Sequence, residues 1–68
     1  MFTPDRAAAA IAIHNKRRNK HFASLDDVAG DLGMGTRPRI GALAWADGII
    51  EAVGARAAAA TSPVSRIS

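Results

Sequence analysis

Residues 22–50, FASLDDVAGDLGMGTRPRIGALAWADGII, constrain the fold more than any other stretch of this chain. Ser24-Leu25-Asp26-Asp27 has the form of a capping box, with Asp27 in place of the usual Glu or Gln. Phe22, two positions ahead of Ser24, is placed to anchor the entry against Val28. Leu25, Val28, Ala29 and Leu32 follow the i, i+3, i+4, i+7 spacing of a buried helical face. Gly33 then stops the helix in a left-handed conformation. Met34 fills the corner and Gly35 permits a second sharp bend. Thr36 is the next candidate cap, and Pro38 falls within a first helical turn, where a missing N–H costs nothing. The spacing predicts a second helix over 37–46. Ile40, Leu43 and Ala44 form its inward stripe, while Pro38, Ala42 and Trp45 point outward.

The flanks also read as helical. Thr3-Pro4-Asp5 combines a cap, a proline at the first position and an acid at the positive end of the dipole. Ala7 to Ala10 favour helix, Ile11 with Ala7, Ala8 and His14 gives a thin apolar stripe, and the helix is expected to fade near Asn19 to His21. After Asp47-Gly48 two readings stand. In one, 49–53 and 57–61 are the two strands of a short C-terminal β-wing. In the other, favoured because the alanines are poor strand material, a separate short helix follows Gly48, and Leu43, Ala46, Ile50, Val53, Ala57 and Ala60 form a seam. The expected fold is therefore all-α, with three to four helices in one domain over 1–60 and a loose tail over 61–68.

The chain has 68 residues and no cysteine, so its core is small and neither disulfides nor thiolate metal sites support it. A homodimer is the expected remedy. Trp45, together with Ile50 and Val53, is the candidate partner or dimer face if it points outward; packed under the first helix or the tail, Trp45 is a core residue instead. The formal net charge is +3, unevenly distributed. Residues 1–24 hold Arg6, Lys16, Arg17, Arg18 and Lys20 against Asp5 alone; residues 25–36 hold Asp26, Asp27 and Asp31 and no cation. Clustered cations suit a polyanion, although a basic run is often no more than a solvated face. No apolar stretch approaches the ~20 residues of a membrane span, and the order of charges at the start is the reverse of a signal peptide's, so a cytoplasmic location is expected.

Catalytic and metal chemistry are not expected. His14 and His21 lie two turns apart, about 10 Å along a helix, too far to share one ion. Asp26 and Asp27 are adjacent and point in different directions. No nucleophile sits in a recognisable elbow, and Gly33-Met34-Gly35 is too short to cradle a phosphate by itself. No cofactor is implied.

The capped helix with Ala29 four residues before Gly33, the Arg37-Pro38-Arg39-Ile40 entry and Asp47-Gly48-Ile49-Ile50 together resemble small prokaryotic helix-turn-helix and winged-helix regulators. The stretch from Ile40 to Gly48 is about one turn shorter than the usual recognition helix. The resemblance implies a transcriptional regulator of phage or mobile-element type that binds double-stranded DNA through helix 37–46. Arg37 and Arg39 would meet base edges or nearby phosphates, Gly35 and Thr36 would hold a phosphate, and Lys16, Arg17, Arg18 and Lys20 from the basic flank 14–21 would hold the backbone. Leu32-Gly33-Met34-Gly35 followed by Ile40 and Leu43 also resembles a helix-hairpin-helix, one residue longer between hairpin and second helix. That motif grips phosphates through main-chain N–H groups without reading sequence. A protein-interaction module, an inhibitor or adaptor using Trp45 and the 43–60 face, is the alternative from a different class.

Overall fold

The computed structural model describes residues 2–61 and contains three helices, α1 (Pro4–Arg18), α2 (Leu25–Leu32) and α3 (Ala42–Thr61), with no strand among the described residues. The fold is all-α. The expected tail over 61–68 lies, beyond Thr61, outside the described residues.

The first two helices begin and end as their sequences dictate. At the start of α1, the Thr3 hydroxyl accepts from the Arg6 N–H at 3.1 Å, Pro4 sits in the first turn and Asp5 meets the positive end of the dipole. The helix closes at Asn19, which is left-handed at φ 58°, with Lys16, Arg17 and Arg18 in the last turn. Ser24 caps α2, its hydroxyl accepting from the Asp27 N–H at 3.4 Å, and the Asp27 carboxylate accepts in turn from the Ala23 N–H. The second half of that box therefore reaches one residue further back than the usual pattern. At the far end, Gly33 at φ 73° donates to Gly30 and Met34 donates to Ala29, the paired bonds of a Schellman stop.

The second helix of the pair does not occupy 37–46. Residues 34–41 form an extended connection, and α3 starts only at Ala42. Pro38 has no N–H and biases Arg37 away from helical angles, while Gly35 and Gly41 take φ of +83° and +81°. Nor is there a wing or a separate short helix after Gly48: α3 is one 20-residue helix passing through both Gly48 and Gly54. Each glycine costs roughly 0.5–1 kcal/mol relative to alanine. Burial of Ala46, Ile49, Ile50 and Val53 outweighs that cost.

α1 and α3 run side by side in the same direction. Arg6 pairs with Asp47, Ala10 and Ile13 face Ile50, Val53 and Gly54 across one groove, and Lys16 and Arg17 share another with Ala57 and Ala60. Parallel neighbours need a long return connection, which residues 19–41 supply with α2 folded into it. The core consists of Ala10, Leu25, Val28, Ala29, Ala46, Ile49, Ile50 and Val53, bordered by Phe2, Ala7, Ile11, Phe22, Leu32 and Trp45. The loop before α2 is clamped by Asn15, whose side-chain amide donates to the Phe22 carbonyl at 3.1 Å and accepts from the Phe22 N–H at 2.8 Å. The expected inward stripe on the second helix is displaced: Ile40 and Leu43 are 90% and 68% exposed, and Ala44 is exposed too. The face that turns inward is Ala46, Ile49, Ile50 and Val53, one turn later.

Candidate nucleic-acid interface

The start of α3 is built unlike the other two. Its first helical bond runs from the Trp45 N–H to the Gly41 carbonyl at 2.9 Å, which puts Gly41 at the capping position. Glycine has no side chain to accept from the first turn, and that turn contains no acid. The N–H groups of Ala42, Leu43 and Ala44 have no protein acceptor among the described residues, and neither do those of Gly35, Thr36, Arg37, Arg39 and Ile40 in the connection before them. No carboxylate occurs in the sequence between Asp31 and Asp47. A run of free donors at the positive end of a long helix, with no acid in its first turn, is a setting that favours an anion.

Arg37 and Arg39 stand in this connection. The Arg37 guanidinium lies 5.4 Å from the Trp45 ring centroid and donates to Asp26 at 3.4 Å. Both partners of that ion pair are about half exposed, at 54% and 51%, so the pairing is weak, on the order of 0–1 kcal/mol. It orients Arg37 without withdrawing it from solvent. Arg39 is exposed and has no partner among the described residues. Gly35 and Thr36 are exposed beside them. Arg37, Arg39, Gly35 and Thr36 thus share one accessible connection, although none of them lies on a helix.

The basic flank divides. Lys16 and Lys20 are exposed. Arg18 closes its fork on Asp31, with Nε at 2.9 Å from one carboxylate oxygen and Nη2 at 3.4 Å from the other. Arg17 donates from 3.4 Å to Nδ1 of His14, a ring with no exposed surface. A guanidinium only donates, so Nδ1 accepts and Nε2 carries the proton directed at Asp31, 2.7 Å away. Arg18, and after it His14, hold the Asp31 carboxyl below the usual carboxylate range. Arg18 therefore ties α1 to α2, Arg17 leans on His14 of its own helix, and both remain exposed. Sequence reading placed His14 on an apolar stripe but missed its partner: Asp31 is 17 residues away, and no local signal connects them.

The expected partner face is also corrected. Ile50 and Val53 are buried within the chain's own core, and Trp45 is half-buried against it with its Nε1 enclosed and without an acceptor. These residues are spent on intramolecular packing. Because α1 and α3 are parallel, Arg6 lies level with Asp47, one and a half turns into α3, and Lys16 lies level with Ala57, fifteen residues from the start of α3 and so roughly 22 Å away at 1.5 Å per residue. No group of three or more potential metal ligands occurs among the described residues, and no helix there is long and apolar enough to cross a membrane. Comparison with protein-family models, with curated proteins and with solved structures finds no match to this chain.

Proposed function

We propose that the chain binds double-stranded DNA through residues 35–44, gripping phosphates with main-chain N–H groups and with Arg37 and Arg39. The observation that carries this reading is the uncapped, acid-free start of α3, preceded by an exposed connection in which the main-chain N–H groups of Gly35, Thr36, Arg37, Arg39 and Ile40 have no protein acceptor among the described residues. The resemblance to a helix-hairpin-helix supports the same mode, because that motif holds the backbone without reading bases. A helix lying in the major groove is not the means proposed, since 37–41 is not helical. Lys16 and Lys20 supply a second contact. The distance of Lys16 from the start of α3, roughly 22 Å, spans about six to seven base pairs at 3.4 Å each.

Fluorescence anisotropy of a labelled duplex across a salt series tests this. Four cations, Arg37, Arg39, Lys16 and Lys20, give an expected log–log slope of about −3.6. Unlabelled duplexes of unrelated sequence should compete to similar extents, which separates a backbone grip from a base-reading regulator. A slope near zero, or no binding at low salt, sinks the reading. A salt-insensitive complex with a protein would favour an inhibitor or adaptor instead.

A further inference from the structure

One residue in the proposed interface is of the wrong chemistry for phosphate. Ile40 is 90% exposed, the largest exposure of any bulky apolar side chain among the described residues. It stands between Arg39 and Gly41, directly after the Arg37-Pro38-Arg39 run and directly before the free donors of α3. Gly41, at φ +81°, turns the main chain so that Ile40 faces solvent and the helix begins behind it. Nothing among the described residues covers it, and Leu43, two residues beyond Gly41, is also mostly exposed.

A sec-butyl group held among cations and N–H donors cannot gain by touching phosphate oxygens. On a duplex whose phosphates those neighbours hold, the apolar surface within reach is the face of the base stack, entered between two base pairs. The charge of the surroundings selects the same occupant: Arg37, Arg39 and the free N–H groups of Ala42, Leu43 and Ala44, which bring Ile40 to its target, attract a polyanion. We infer that Ile40 is a wedge that enters a base step of bound DNA, partly unstacks it and bends the duplex. This deepens the DNA-binding reading and rests on it. Aliphatic wedges of this kind kink DNA by roughly 20–90°. Pyrimidine–purine steps, TA and CA/TG, unstack most easily, so the wedge supplies a preference for deformable sites without any hydrogen bond to a base edge.

The full chain and a duplex of about two helical turns, carrying a donor and an acceptor dye at its ends and one central TA step, provide the test. Wild-type protein is expected to raise energy transfer between the ends and to brighten a 2-aminopurine placed beside the TA step. Ile40→Ala should keep the thermal midpoint and the salt slope, because the side chain is outside the core and carries no charge. It should lose the rise in energy transfer, the 2-aminopurine signal and any preference for the TA duplex over a GC-only one. Arg39→Ala should lower the salt slope by about one unit while leaving a bend in whatever complex still forms. Wild-type binding without a bend, or an Ile40→Ala complex bent like wild type, overturns the wedge and leaves the DNA reading intact. Absence of any duplex binding at 50 mM salt overturns both. Insertion into anionic vesicles that Ile40→Ala abolishes, with no effect on duplex geometry, assigns the side chain to a lipid surface and likewise overturns the wedge.

Discussion

Two helices in this molecule complete their own beginnings, and the third does not. α1 and α2 start with Thr3 and Ser24, each hydroxyl accepting a main-chain N–H, and each has acid in its first turn. α3 starts with Gly41, has no acid in its first turn and leaves three N–H groups without a protein acceptor. A side-chain cap is typically worth about 1 kcal/mol. α3 holds together without one because Ala46, Ile49, Ile50 and Val53 are buried along its inner face. The difference separates what stabilises a helix from what it offers to a partner: α1 and α2 are closed locally, while α3 is anchored from its middle and open at its end.

The strongest way to break this contrast is to attack the anchor. Ile49 has no exposed surface, and Ile49→Ala should cost about 2–5 kcal/mol in urea denaturation. In a chain whose total stability is itself about 3–5 kcal/mol, that is near or complete unfolding. A loss below 1 kcal/mol would show that α3 does not depend on its buried face.

A pair of substitutions sharpens the contrast at smaller scale. Ser24→Ala removes a working cap and should cost roughly 0.5–2 kcal/mol. Ala44→Glu places a carboxylate in the open first turn of α3 and should instead stabilise by about 0.3–1 kcal/mol. The same change should weaken duplex binding, because it fills the proposed phosphate position with negative charge. A variant that melts later yet binds less is hard to explain by damage to the fold. If Ala44→Glu binds as tightly as wild type, the open end of α3 is not where phosphate sits.

The smallest effect appears only in acid. The folded-state pKa of Asp31 is lowered by Arg18 and then His14, so its contribution is fully present above the ordinary carboxylate value of 3.8. It is lost as pH falls through the lowered folded value. Stability should therefore decline below about pH 4, and Asp31→Asn should be less stable than wild type at neutral pH while the two converge in strong acid. Parallel denaturation curves at all pH values would remove the Arg18–Asp31–His14 cluster from the account of how α1 holds α2.

The legible parts of the sequence were those with local causes. Thr3, Pro4 and Asp5 mark the start of α1, and Ser24, Asp27 and Gly33 bracket α2, because a cap and a left-handed glycine act within four or five residues. Thr36 and Pro38 carry the same start signature, yet the helix begins later: Gly41, not Thr36, takes the capping position, and the inward face that α3 buries, Ala46, Ile49, Ile50 and Val53, lies one turn beyond the stripe read from the sequence. Gly48 and Gly54 argue locally for a break, but tertiary burial overrides them. The candidate site divides in the same way. Arg37, Arg39, Gly35 and Thr36 are accessible together because they are neighbours in the chain. Arg17 and Arg18 read only as members of a basic run, because nothing near them in sequence announces His14's burial or the partner of Arg18, Asp31. Ile50 and Val53 read as a seam toward a partner, since helical spacing reports an apolar face without saying whether the same chain covers it.

The parallel arrangement of α1 and α3 gives the molecule an electrical polarity. Both helices put their amino ends on the same side, where Asp5 offsets the first and nothing offsets the second. Two aligned dipoles repel slightly, and each contributes about half a positive charge at its amino end. Lys16, Arg17 and Arg18 sit at the carboxyl end of α1, where their full charges more than cancel the negative end of its dipole. The body therefore shows positive potential at both ends, from main-chain N–H groups at one and from side chains at the other.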